Sequence, residues 1–282
     1  MPETEELTYQ NYLQISRLLR LQKTLSKPTE HDELLFIVVH QAFELWFRLM
    51  LHEMEEVYRL MVSGDAREAT RLLNRVLEIE RLILQQTRII ESMRPMDFLK
   101  FRTFLGTASG LQSLQFREIE FLSGLKDEKF LLPYKSFPQD TETLKRRLDA
   151  PSLWDGFRSL LAKEGFNIEL TPDEEELSER ERRSLILERE VRAVTEVYSS
   201  GKHLGLVELA EALITHDENF TLWRSLHAAM AERMIGQKPG TGQVDVKEIT
   251  GHLYSGVGYL KTTQGKRFFP ALWRARTSLR NG

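Results

Sequence analysis

The chain has 282 residues, with 42 acidic residues against 39 basic ones, a formal net charge of -3 and no cysteine. That balance offers no basic footprint for nucleic acid, and the missing cysteine excludes disulfides, thiolate chemistry and cysteine-ligated iron–sulfur clusters. A hydrophobic content of 41% with 29% charged residues is ordinary for a globular protein, and the length suffices for one large core. The polar, acidic start MPETEELTYQ does not read as a signal peptide, so a cytoplasmic location is expected.

Residues 7–25 place Tyr9, Tyr12, Leu13, Ile15, Leu18 and Leu19 at roughly helical spacing. The simplest expectation is a short helix packed on the core. A tyrosine-rich arm also suits a subunit contact, because tyrosine combines apolar area with a hydroxyl. The organising stretch follows. From Leu34 to Leu51, fourteen of eighteen residues are apolar, and the exceptions include His40, Glu44 and Arg48, spaced four apart. On a helix those three share one stripe. The β-branched run Ile37–Val38–Val39 favours a strand locally, but the pattern continues to Tyr58 and argues for a central helix over about 32–62. Thr29 is the expected cap, with Asp32 three residues on. A membrane span is the competing reading, and the charged stripe argues against it.

Ser63–Gly64–Asp65 breaks the pattern, and a second long helix is expected from Ala66 to about Ser92, forming an antiparallel hairpin with the first. Residues 96–124 begin helically, are interrupted at Gly106–Thr107–Ala108–Ser109–Gly110, and resume at Leu111. Arg102 sits among aromatics there; if buried it must be paired, and its fork suits a carboxylate, from an internal glutamate or from a ligand. Residues 125–200 read as a small peripheral helical insertion, with its charge run a solvated face and Thr171–Pro172 a cap and first turn. Residues 204–235 form another mostly buried helix, carrying Trp223, Arg224 and His227 and ending at Gly236. The stretch GQKPGTG is a loop, residues 243–263 are expected to stay loop-like, and a last short helix follows Pro270. The fold class is all-α: a helical bundle forming a single domain over 1–282.

The familiar catalytic motifs are missing: there is no HExxH, no P-loop and no nucleophile elbow. His40 and His227 stand out instead, each in a long apolar helix. A lone buried histidine is most simply a core residue with its hydrogen bonds met. Two beside aromatics suit haem, one as iron ligand and the other facing a distal pocket.

LTYQNYL, DELLFIVVHQAFELWF, FRTFLGTASGLQSLQFREIE, DENFTLWRSLH, ERMIGQKPGTG and RFFPALWRARTSL, in this order, together resemble the tryptophan 2,3-dioxygenase family. The resemblance implies a bundle enclosing haem b, one per subunit and ferrous when active, with His227 as proximal ligand. It implies that His40 contacts the indole N–H, that Phe36 and Phe98 wall the indole pocket, and that Arg102 clamps the substrate carboxylate. Ser109 would be a distal-side hydroxyl, Trp223 a haem neighbour, and Thr241 a contact to the substrate ammonium and carboxylate. Tyr9, Tyr12 and Leu13, in an arm over 1–26, would come from a neighbouring subunit of a homotetramer. The implied reaction takes L-tryptophan and O₂ to N-formylkynurenine, the first step of tryptophan catabolism by the kynurenine pathway. No nucleic-acid or membrane partner is expected.

Two departures from the family's pattern stand out. GTG runs into QVDVKEITGHLY before SGVGYL, an insertion of about ten residues, and Ser225 follows Arg224 where the family commonly has tyrosine. They leave open a related monooxygenase acting on tryptophan or a modified indole. A haem-binding or structural helical bundle that has lost catalysis is the reading from a different class.

Overall fold

The computed structural model describes residues 6–171, 174, 176–241 and 256–279, and every structural statement below is made of these. The helices are α1 (Tyr9–Tyr12), α2 (Ile15–Leu18), α3 (His31–Ser63), α4 (Ala66–Glu91), α5 (Pro95–Arg102), α6 (Leu114–Ser123), α7 (Pro138–Asp149), α8 (Leu153–Lys163), α9 (Glu179–Ser199), α10 (Leu204–Ile235), α11 (Val257–Thr263) and α12 (Pro270–Ser278). Three 3₁₀ segments join them and no strand occurs among the described residues, as the all-α expectation requires.

The apolar periodicity of the central stretch outweighs its β-branched run, and Ile37–Val39 lie well inside α3. The expected Thr29 cap does not form: the helix begins at His31, and Glu30 occupies the N-cap without a side-chain bond. Gly64 closes α3 in the left-handed region (φ 104°), where a glycine pays no Cβ penalty. Asp65 then accepts from the Glu68 N–H at 3.0 Å and starts α4. This tight link folds α3 and α4 into the expected hairpin. Met50, Met54, Val57 and Met61 of α3 are fully enclosed, as are Ala69, Leu73 and Val76 of α4. Each of the Met, Val and Leu side chains contributes about 1.5–3 kcal/mol by leaving water. By length and composition α3 is apolar enough to cross a membrane, and its enclosed face packs on α4, α6 and α8.

The stretch 125–200, expected at the periphery, also feeds the main core. Leu153, Phe157, Leu160 and Leu161 of α8 are buried with the α3 residues. Gly156 permits that approach, since a Cβ there would stand 2.9 Å from Met61 Cε. The charge run behaves as a solvated face at its start, where Ser178 and Glu181 form a capping box. Ala193, Val194 and Val197 then turn inward.

Two local expectations fail. Residues 7–25 do not form a helix packed on the core: α1 and α2 are single turns that bury no residue. Residues 257–263 are helical, not loop, because Val257 and Tyr259 bury themselves and Tyr259 joins Phe121, Phe130, Tyr134 and Leu144 in a second cluster. Gly256 precedes this helix at φ 62° and lies against Gly240, where a Cβ would meet the Gly240 nitrogen at 3.1 Å. The insertion at 243–254 and Pro172 lie outside the described residues.

Candidate active site

The first turns of α3, the whole of α5 and the last turns of α10 meet at one end of the bundle. Phe36, Phe98 and Phe101 form a triangle with ring centroids 5.3–5.7 Å apart. Met93, Met230 and Met234 complete an apolar cluster around it. Methionine and phenylalanine together make a wall suited to a flat aromatic ligand.

His40 lies one turn after Phe36, its ring centroid 4.1 Å from that phenylalanine. Its Nδ1 stands 2.7 Å from the Phe36 carbonyl oxygen. A carbonyl only accepts, so Nδ1 carries the proton and Nε2 keeps its lone pair. Burial pushes the His40 pKa down, against the opposing effects of the Phe36 carbonyl and the Glu44 charge. The ring is therefore neutral at pH 7 with one free acceptor. The His40–Glu44–Arg48 stripe opens onto a groove of about 510 Å³, also lined by Gln41, Leu45 and Gln115.

His227 differs in one respect: neither ring nitrogen has a hydrogen-bond partner among the described residues. Its ring packs on Trp223 at 4.9 Å. Burial pushes its pKa down to about 4, and the nearby charge of His40 adds to the shift. A neutral imidazole with both nitrogens free fits the demand of haem iron for a lone pair.

The polar candidates are held by main-chain carbonyls. Arg102, the last residue of α5, donates through Nη2 to the Pro239 oxygen, and no carboxylate partners it among the described residues. Thr241 donates its hydroxyl proton to the Ala108 oxygen. These two bonds tie the KPGTG loop to α5 and to the interrupted stretch after it. Ser109 caps a single 3₁₀ turn, its Oγ accepting from the Leu111 N–H at 3.3 Å. Glu44 steadies the far end of that stretch by accepting from Ser113 Oγ at 2.7 Å and Gln115 Nε2 at 2.8 Å. Tyr9, Tyr12 and Leu13 do not join the cluster of their own chain; they are 70%, 71% and 42% exposed.

Sequence reasoning passed over a third histidine on α10. His216 is fully buried, with Nδ1 against Glu80 and Nε2 2.8 Å from Ser123 Oγ. The arrangement has the look of a hydrolytic triad. However, the Ser123 hydroxyl proton is committed to the Ile119 oxygen at 2.7 Å and the serine has no exposed surface, so no substrate can reach it. The available signal was weak: a glutamate and a histidine at core-facing positions of two helices far apart in sequence.

Fold and cluster define an all-helical protein with a candidate small-molecule site between two histidine-bearing helices, walled by phenylalanines and rimmed by an arginine. The family pattern described as tryptophan 2,3-dioxygenase matches residues 2–172. A Caulobacter vibrioides protein of that name is 40% identical over 277 residues, covering 98% of this chain and 99% of its own length. One from Herpetosiphon aurantiacus is also 40% identical over 277 residues, covering 98% and 100%, and one from a Nocardioides species is 39% identical over 279 residues, covering 97% and 95%. The chain belongs to the tryptophan 2,3-dioxygenase family of enzymes.

Proposed function

We propose that this protein inserts both atoms of O₂ across the indole C2–C3 bond of L-tryptophan, giving N-formylkynurenine and opening the kynurenine pathway. The observation that carries the reading is the pairing of His227, free at both nitrogens, with a neutral His40 whose Nε2 is open, beside the Phe36–Phe98–Phe101 triangle and Arg102. Haem b, one per subunit and ferrous when active, would be held through His227, with Trp223 and Ser109 beside it, and would supply the chemistry of O₂ activation.

The chain's own residues bind and orient. The Arg102 fork exchanges the Pro239 carbonyl for the substrate carboxylate, a stronger, charge-assisted partner. Thr241 exchanges the Ala108 oxygen for the ammonium and carboxylate of the amino acid. Phe36 and Phe98 enclose the indole ring and keep water from it. His40 Nε2 accepts from the indole N–H and so fixes which edge of the ring is presented. It acts as an orienting partner and not as a base, because indole N–H is very weakly acidic. Tyr9, Tyr12 and Leu13 cover the site of a neighbouring subunit in a homotetramer, which accounts for their exposure in the single chain. The setting is cytoplasmic.

The extra residues between GTG and SGVGYL favour one second reading, a monooxygenase relative acting on tryptophan or a modified indole. Haem-loaded, reduced protein turned over with L-tryptophan in labelled oxygen separates the two. Two labelled atoms in a ring-opened product support the dioxygenase; one labelled atom, or no turnover, overturns it.

A further inference from the structure

The N-terminal arm buries almost nothing of its own, yet it takes a defined path. Leu7, Tyr9, Tyr12 and Leu19 are each at least 70% exposed, so apolar packing within the chain does not hold them. The arm is fixed by polar bonds, concentrated at its root. Leu25 N–H donates to Glu33 Oε1 at 2.6 Å, Ser26 N–H donates to Glu33 Oε2 at 3.0 Å, and the Ser26 hydroxyl donates to that same oxygen. Ser26 Oγ also accepts from the Glu30 N–H at 2.9 Å. Further out, Gln22 Nε2 donates to Gln41 Oε1 at 2.6 Å, and Gln41 Nε2 donates to the Leu21 oxygen at 3.3 Å. Gln41 adjoins His40 in α3, so the arm runs from the start of the helix towards the candidate site.

Glu33 is the unusual member of this set. It is 1% exposed and has no cationic partner among the described residues. A glutamate in the first turn of a helix ordinarily reaches back to the N-cap N–H. Here it passes the N-cap and takes donors seven and eight residues upstream, so the carboxylate serves the arm more than its own helix. A buried charge with no counter-ion persists only where several N–H or O–H donors converge on it, and the helix N-terminus adds to their effect.

We propose that Glu33 is a positioning residue whose carboxylate anchors the root of the arm and thereby holds Tyr9, Tyr12 and Leu13 where a neighbouring subunit can use them. The second half of this inference rests on the function proposed above; the anchor itself does not. The direction of the Glu33 pKa agrees with the geometry. Burial acts to raise its pKa, and the bonds from the Ser26 hydroxyl and the Leu25 and Ser26 amides outweigh it, for a net lowering. A lowered carboxylate pKa means that the anchor's stabilisation is present above the ordinary carboxylate range and is lost as pH falls through the depressed value.

The test is amide hydrogen exchange on the haem-loaded assembly of the wild type, Glu33→Ala, Glu33→Gln and Ser26→Ala, with steady-state kinetics on the same samples. In Glu33→Ala, exchange over residues 7–26 should quicken about tenfold or more, while residues 43–63 of α3 keep their protection. KM for tryptophan should rise about fivefold with kcat within about twofold and the Soret maximum unmoved. Ser26→Ala and Glu33→Gln should move exchange and KM in the same direction by less, and they decide the matter if Glu33→Ala does not fold. Faster exchange confined to the first turn of α3, with the arm and KM unchanged, would show that Glu33 only caps its own helix and would overturn the proposal. Exchange and Soret readings need no tryptophan. A wild type that does not turn tryptophan over would therefore defeat the functional reading while leaving the anchor decided on its own.

Discussion

Two histidines three turns apart on α10 live in opposite surroundings. Both ring nitrogens of His216 are answered: Glu80 faces Nδ1, with Asn219 donating to the second Glu80 oxygen at 2.8 Å, and Ser123 Oγ accepts from Nε2. Neither ring nitrogen of His227 has a partner among the described residues, and the ring packs on Trp223. His40 falls between, with Nδ1 committed to Phe36 and Nε2 open. A nitrogen that finds its partner inside the protein serves the fold. One without an internal partner is available to a ligand. Asp217 and Arg224 also bond mainly within the protein, although Asp217 Oδ1 and Arg224 Nε have no partner among the described residues. Asp217 closes α12 by accepting from the Phe268 and Phe269 amides at 3.0 and 3.2 Å and from Trp273 Nε1 at 2.8 Å. Arg224 spans Glu120 and the Lys266 oxygen. Arg102 and Thr241, by contrast, hold only main-chain carbonyls among the described residues.

The largest effect should follow from breaking the answered side. His216→Ala leaves the Glu80 carboxylate buried without its imidazole and should cost about 3–5 kcal/mol in urea unfolding. Replacing both Glu80 and His216 with leucine should recover much of that loss, because neither member of the pair is then left without the other. A single variant as stable as the wild type would blur the distinction between the two histidines.

On the open side, Arg102→Leu should lower kcat/KM for tryptophan by about 10–100-fold, the worth of one charge-assisted pair. Unfolding stability should barely change, since the internal partner is a single carbonyl. His40→Ala should slow turnover about tenfold, roughly one hydrogen bond, and leave the Soret band in place. The pKa of His40 is pushed down from 6.5, so the ring is neutral above that value and charges only as pH falls below it. The acid limb of kcat/KM should accordingly lie below pH 6.5 and change shape in this variant. Thr241→Val should do least, a few-fold in KM, because a neutral hydroxyl is worth about 0.5–1.5 kcal/mol.

The long helices were legible because their apolar residues recur every three to four positions over many turns, as in α3, α4 and α10. Gly64 with Asp65, and Gly236, could be read as stops from their residue types alone. Glu33 could not: acidic residues crowd the start of α3, and only the fold shows that this one faces Ser26 while Thr29 caps nothing. The helix at 257–263 was hidden by the glycines of GVGYL, and burial of Tyr259 overrides them. Spacing singled out His40 and His227 as candidates. The roles of Arg102, Thr241, Ser109 and the arm tyrosines came from resemblance to a family. Periodicity carries no information about residues 133 and 137 positions apart that share a hydrogen bond.

The most direct test of the contrast is a haem titration of the apoprotein beside three variants, followed at the Soret band. Wild type, His40→Ala and the folded fraction of His216→Ala should each take up one equivalent, and His227→Ala should take up haem weakly or not at all. Normal ligation by His227→Ala, with ligation lost instead from folded His216→Ala, would contradict the account.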